Sequence, residues 1–502
     1  MSPLFLLPLL PALGALLLIA PRHAPPARSR NIASVTAVLT LCLSLGMPHH
    51  LALDGASTLA LPFLCLLTLA TMLAAPRQAL GRGALVTLLL TQSAALGFFC
   101  ASTLFTALLL FIAMTTLPDL HLSREEPSTG GPRPRSVVRM YLLIGGVPLG
   151  AATLLVGLLG WHPTLCALLL LGTCTRLAML PLHTWLPVWM TRSPSGSSTL
   201  WMSLIASLHL LNRWLLPLLP PEWATTTALP VLASLGAGTA LYGALLAFIQ
   251  KDLRRMLAFA VMSQSGLMLA GVASADPDGI HGAWLHCLAA GITFTGLDLL
   301  VRALEARTGT TDLGHLGGLS ARMPRMATLF LLLCLAAMGL PGTLAFVSED
   351  FLLRGTLGAH PWHTLLLPPA LALNAFTLLR ACHRAFLGPA RASPMPLQDV
   401  LPRERWMATV LVLAVIAGGL APPALQRSLA SSEARLASVL LPEALASTPG
   451  AGARGLSGIA PKRAYPERES SRHWREPHVP DERTKCLERS SRGDPAAGLE
   501  RL

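Results

Sequence analysis

The chain has 502 residues, 53% hydrophobic and 13% charged, with a mean hydropathy of +0.57. A soluble protein of this length carries about a quarter charged residues, so the soluble globular class is excluded. The net charge of +13 calls for no nucleic acid, because basic residues in so apolar a chain serve first to orient loops.

Apolar runs near 20 residues long recur from the N-terminus to about Gly419. They do not alternate as the strands of a membrane barrel do, so the fold class is an all-α polytopic membrane protein. The opening run "MSPLFLLPLLPALGALLLIAPRHAPPARSR" lacks a basic leading region and is read as a first membrane helix, not a signal peptide. Fourteen spans are predicted in all, near 3–20, 32–50, 57–75, 81–100, 101–122, 137–160, 163–190, 197–219, 227–250, 255–273, 280–303, 324–357, 362–387 and 406–424.

Loop charge supports this count. Loops after odd-numbered spans carry the basic residues, as in "PRHAPPARSR", "QKDLRR" and "GPARASPMPLQDVLPRER". Those after even-numbered spans, such as "HHLALDGAS", "WHP" and "SADPDGI", carry no Lys or Arg. The positive-inside rule puts the basic loops in the cytoplasm and the N-terminus outside. Fourteen spans return the C-terminal tail to the outside as well. From about Leu425 that tail is polar, rich in Pro, Gly and Ser and of mixed charge, which predicts disorder, with "SSEARLASVLLPEAL" as a candidate interfacial helix. The nine cysteines show no CxxC and no Cys/His ligand spacing, so neither metal nor cluster is expected.

Several residues do not belong in lipid, where a charge costs several kcal/mol and normally faces protein or water. Arg176 lies within the seventh span and is followed by "LAMLPLHTWLP", which holds His183 between Pro181 and Pro187. Each proline removes a backbone donor, so a broken helix is predicted there, and such breaks are tolerated where they line a cavity. The bland alternative is an arginine that snorkels or pairs structurally. The twelfth span repeats the pattern: Gly339, Pro341 and Gly342 interrupt it, and Glu349 and Asp350 follow. Adjacent residues on a helix point about 100° apart, so one carboxylate at most faces a given path, and Glu349 is preferred.

His286 and His209 are lone intramembrane histidines, either proton relays or packing residues. Asp298 and Arg302, at i,i+4, are read as a structural pair. Lys251 stands in "QKDLRR" at the cytoplasmic start of the tenth span, where snorkelling is the plain reading. Within that span, Ser263, Gln264 and Ser265 are able to hydrogen-bond between helices or hold water. Two breaks five spans apart suggest two repeats of opposite topology. The predicted divisions are 1–80 (spans one to three), 81–220 (first five-helix repeat), 221–390 (second repeat), 391–424 (last span) and 425–502 (tail).

"LAMLPLHTWLPVWM", "QKDLRRMLAFAVMSQSGLMLAG", "ARTGTTDLGHLGGL", "GLPGTLAFVSEDFLL" and "LLRACHRAFLGP" occur in this order over about residues 165–390. They resemble the antiporter-like membrane subunits of bacterial NADH-quinone oxidoreductase (respiratory complex I), related also to Mrp antiporters and membrane-bound hydrogenases. The glutamate in "FVSEDF" resembles the M-type subunit. The resemblance implies two inverted five-helix repeats and a hydrated axis moving protons, driven by quinone reduction elsewhere. It implies other membrane subunits as partners in the cell's inner (plasma) membrane, and no cofactor in this chain.

By position Glu349, His286 and Lys251 are kept, and with Arg176, His183 and His209 they make up the proton-path candidates. Departures accompany them. Ala113 stands where the family has a glutamate, Arg176 where it has lysine, and Ala290 where it has Lys or His; the basic residue of span eight is unmatched at Met202 or Ser207. Arginine keeps its charge but does not release its proton. The alternatives are a degenerate scaffold that no longer conducts, or a partner-driven cation/proton or bicarbonate transporter subunit of the same fold.

Overall fold

A computed structural model describes residues 6–19, 25–46, 54–76, 80–122, 134–159, 163–193, 195–389, 397–423 and 425–429. The chain divides into two compact units, Met1–Leu445 and Ala446–Leu502, and all described residues lie in the first. The tail from residue 430 onward, with the candidate interfacial helix, lies outside the described residues.

The helices in chain order are α1 Leu6–Ile19, α2 Pro26–Gly46, α3 Gly55–Ala74, α4 Arg82–Phe99, α5 Leu104–Leu122 and α6 Pro134–Leu159. Then come α7 Pro163–Arg176, α8 Trp185–Arg192, α9 Gly196–Leu210, α10 Pro221–Trp223, α11 Leu229–Ile249 and α12 Leu253–Ala273. The series ends with α13 Pro277–Thr308, α14 Pro324–Ala337, α15 Leu344–Ala359, α16 Pro361–Thr364, α17 Leu367–Cys382 and α18 Pro402–Leu420. Wider π turns extend α9 to Leu215, join α10 to α11 and carry α17 to Leu387. No strand occurs among the described residues; one isolated antiparallel bridge joins Asp252 and Asp312. Among the described residues, seven helical runs are long and apolar enough to cross a membrane.

Helix ends are set by local chemistry. Asp54 caps α3 by accepting from Ser57 N at 2.7 Å, and Asp252 caps α12 by accepting from Arg255 N at 2.9 Å. Asp276 with Pro277 starts α13, and Gly309 ends it in the left-handed conformation at φ 74°.

Packing between helices relies on small residues. Lipid tails are as apolar as leucine, so burial alone gives membrane helices little reason to associate, and close backbone approach replaces it. A Cβ added to Gly266 would sit 2.5 Å from Ala240 N, and one on Gly236 2.7 Å from Ala270 N, so α11 and α12 touch backbone to backbone. Gly282 meets Leu352, and Gly355 meets Gly279, in the same way between α13 and α15. α13 is the innermost helix: its apolar stretch is wholly buried, against α3, α9, α12, α14, α15 and α18.

Two interruptions matter for the site. Residues 177–184 separate α7 from α8, and residues 338–343 separate α14 from α15.

Candidate ion-path site

The first interruption is held by its own polar groups. Met179 N returns to Cys174 O at 3.0 Å, and Leu180 N donates to Thr239 Oγ1 of α11 at 3.1 Å. Trp185 Nε1 donates to Thr175 O at 3.1 Å, satisfying a carbonyl that the ended helix leaves open. Ala178 adopts a positive φ of 56° and Leu180–Pro181 is cis. Pro181 therefore lies in the break. Pro187 does not: it occupies the first turn of α8, where a missing N–H has no helical partner to lose.

Arg176 closes α7 and is 4% exposed. It lines a cavity with Met114, Thr115, Trp185 and Ser203, among others, which offers about 20 Å³ for water centres, or about one water molecule. His183 is buried, its ring 5.6 Å from Tyr242 and 6.4 Å from Phe259.

The second interruption turns on glycine. Gly339 and Gly342 have φ of 72° and 92°, conformations that side chains disfavour, and Pro341 lies between them. A Cβ on Gly339 would stand 2.5 Å from Glu349 Oε2, so the half-buried carboxylate of Glu349 rests against the broken backbone. Asp350 turns away and pairs with Arg354, Nη2 to Oδ2 at 2.7 Å.

The residue before Glu349 reaches a histidine. His286 Nδ1 is 3.2 Å from Ser348 Oγ of α15, and Nε2 is 2.5 Å from Gln264 Oε1 of α12. Ser348 Oγ also lies 2.7 Å from Ala345 O. With its proton on that carbonyl, Ser348 accepts from Nδ1 while Gln264 accepts from Nε2, and the ring is satisfied as an imidazolium. Rotation of the hydroxyl toward Nδ1 satisfies the neutral ring instead. Both protonation states thus fit one heavy-atom arrangement.

His209 belongs to a different cluster. It is enclosed by Phe99 at 4.7 Å, Phe98 at 5.6 Å and Trp284 at 5.9 Å between ring centroids. Its Nε2 lies 3.9 Å from Asp54 Oδ2, which takes a 2.5 Å hydrogen bond from Arg213 Nη1. Asp54 and Arg213 were missed by sequence reasoning. The helix-cap signature "DGAS" could have flagged Asp54, but nothing local points to a partner 159 residues away. Lys251 is exposed and joins neither cluster; its carbonyl accepts from Leu313 N at 2.9 Å.

Asp298 and Arg302 form the i,i+4 pair at 2.9 Å, both buried. They do more than pair: Arg302 Nη2 donates to Met190 O at 3.3 Å, and Asp298 Oδ2 accepts from Ser197 N at 3.3 Å. The corner between α8 and α9 is thereby tied to α13. Arg254 adds a bond to Thr191 O at 3.0 Å and pairs with Glu305. Among the described residues no group of three His, Cys, Asp or Glu side chains is placed to hold a metal.

A helical bundle with two interrupted helices, Arg176 closing the helix before one break and Glu349 packed against the other, has the make-up of a polytopic helical membrane protein, in which irregular backbone is tolerated where protein buries it. The family described as NADH:quinone oxidoreductase/Mrp antiporter, TM, matches residues 136–373. NADH-quinone oxidoreductase subunit 13 of Thermus thermophilus is 31% identical over 361 residues, covering 68% of this chain and 76% of that protein. Subunit M of the Pseudomonas aeruginosa NADH-quinone oxidoreductase is 31% identical over 259 residues, 51% of this chain and 50% of that one. A chain of the solved respiratory complex I from Thermus thermophilus with bound NADH superposes with a TM-score of 0.76 at 27% identity, over 87% of this chain and 99% of that one. The chain belongs to the NADH:quinone oxidoreductase/Mrp antiporter family of multi-pass membrane subunits, in its M-type branch.

Proposed function

We propose that the protein is a proton-translocating membrane subunit of a complex I-like assembly, with other membrane subunits as its partners. In this reading α1 to α18 make fourteen spans. Residues 81–220 and 221–390 are inverted five-helix repeats, preceded by residues 1–80 and followed by the last span, 391–424, and a tail, 425–502. The basic loops face the cytoplasm, with the N-terminus and tail on the other side of the inner membrane. Quinone reduction elsewhere in the assembly drives the proton movement.

The observation that carries this reading is the His286 cluster. A ring that both protonation states suit is bonded to Ser348, on the helix that also carries Glu349 against the second break, and this supports reading the two as proton carriers. Glu349 is the carrier and His286 the relay. Arg176 keeps its proton and biases the field in the first half, with His183 in the break that follows it. Lys251, exposed at the start of α12, has its place at the cytoplasmic entrance, and His209 serves at the other end. The test is Glu349→Gln in vesicles carrying the assembled complex. Loss of proton pumping with electron transfer retained supports the reading, and native pumping removes Glu349 from it.

A second reading, a scaffold that no longer conducts, is favoured by one observation. The cavity beside Arg176 has room for about one water, and five of its nine lining residues are apolar or tryptophan. Restoring Arg176→Lys together with Ala113→Glu separates the two. No change in pumping fits the scaffold; a changed rate or pH profile fits conduction.

A further inference from the structure

α9 and α13 run antiparallel and stay in register. Ser197 N reaches Asp298 Oδ2 at 3.3 Å, the rings of Trp201 and Phe294 lie 6.4 Å apart, and those of His209 and Trp284 5.9 Å apart. Along this seam, Ser197 Oγ, Trp201 Nε1 and His209 Nδ1 of α9 have no hydrogen-bond partner among the described residues. The same holds for Trp284 Nε1, Thr295 Oγ1 and Asp298 Oδ1 of α13, and none of the six residues is more than 1% exposed. Thr295 shares the face of Trp284 and Asp298, because eleven residues at 100° each return to within about 20°.

Folded proteins leave few buried polar atoms unpaired, and ordered water with two to four partners is what satisfies them. The chemistry of this set suits water. The indoles donate, the carboxylate accepts, and the hydroxyls do both. From Ser197 to His209 the seam rises about 18 Å, against a hydrocarbon thickness of about 30 Å.

Both ends of the seam are charged. At the basic-loop end stands Asp298 with Arg302, and beyond them Arg254 with Glu305, whose side chain is 34% exposed. At the opposite end His209 meets Asp54, 11% exposed, which Arg213 also holds. The charged and titratable groups facing the seam are therefore Asp298 and Arg302 at one end and His209, Asp54 and Arg213 at the other. His286 is not among them. It stands two residues from Trp284 and projects about 160° away around α13.

We propose that the α9–α13 seam holds a file of ordered waters, and that Asp54, through His209, passes protons between this file and the face opposite the basic loops. The inference rests on the proton-translocation reading and names an outlet for it. A proton moving along the waters reaches His209 at Nδ1. The proton on Nε2 passes to the Asp54 carboxylate and then to solvent, and a half-turn of the ring about its Cβ–Cγ bond, which brings the remaining N–H to the Asp54 side, resets it.

Two measurements on the assembled complex in vesicles test this. A brief X-ray pulse oxidises side chains that hold water, buried or not. Trp201 and Trp284 should be modified alongside the 80% exposed Trp362, while Phe330, packed on Phe386, stays unmodified. Unmodified Trp201 and Trp284 overturn the water file, and this readout needs no variant. In parallel, Asp54→Asn should slow proton transfer roughly 100-fold, the scale of losing a proton-transfer group, with Asp54→Glu restoring most of it. Native pumping in Asp54→Asn overturns the outlet. Native pumping in Glu349→Gln overturns the Glu349 reading instead, so the two failures are distinguishable.

Discussion

His286 Nε2 lies 2.5 Å from Gln264 Oε1, so a histidine at the heart of α13 is held by an amide on α12 that is itself 2% exposed. This bond decides how the ring sits. It leaves Nδ1 to Ser348, and through Ser348 the ring is tied to the helix that carries Glu349.

Gln264→Leu should therefore strand Nε2 in an apolar site. Leaving a buried donor or acceptor unpaired costs about 1–3 kcal/mol. The expected outcome is a lower unfolding midpoint in detergent and a slower pump. Gln264→Asn or Gln264→Glu should recover part of both. Equal stability of Gln264→Leu and the parent would mean that the ring finds another partner.

Gly339→Ala tests the second break. The residue has φ 72°, and its new Cβ would press on Glu349 Oε2. An alanine forced into a positive φ loses more than the roughly 0.4–1 kcal/mol that such a change gains at compatible sites. Pumping should fall with it, because Glu349 must move. Gly342→Ala, where φ is 92° but nothing lies within 4 Å, should cost stability while leaving Glu349 in place.

Arg302→Met should be severe. It leaves Asp298 buried without its countercharge, which typically costs about 3–5 kcal/mol, and it frees the Met190 carbonyl. Removing both charges with Arg302→Met and Asp298→Leu should recover much of that loss. Chemical denaturation of the two variants in the same detergent gives the comparison.

Asp312, in the loop after α13, is held below its ordinary carboxylate value first by the Gly314 backbone N–H, with His315 and Lys251 adding to the shift. A depressed carboxylate contributes its full stability above its unfolded pKa and loses it as pH falls through the folded one. The loop should therefore loosen on the acid side of that lowered value, below pH 3.8, and stay unchanged between neutral pH and the unfolded value. Pepsin cleavage between residues 309 and 323, followed against pH, checks it, and Asp312→Asn should be cleaved equally at all acid pH values.

Much of this was legible in the sequence. The glycines at 339 and 342, the prolines at 181 and 341 and the charges after or before them marked interruptions, because backbone rules act locally. The order of five motifs pointed to the family. Pro187 shows the limit of the rule, since a proline in the first turn of a helix looks in sequence like one that breaks it.

The sequence by itself determined an all-helical apolar chain, the residue types that lipid does not tolerate, and the membership that the relatives bear out. Only the tertiary structure decided which of those residues meet. Arg213 finds Asp54 across 159 positions, and His286 finds Gln264 and Ser348 while Lys251 finds neither cluster. The physical reason is that hydrogen bonds and ion pairs act over a few ångströms of space, and a helix bundle sets those distances by its backbone contacts. Where Gly282 lets α13 touch α15, and where α9 lies against α13, no run of neighbouring letters records it.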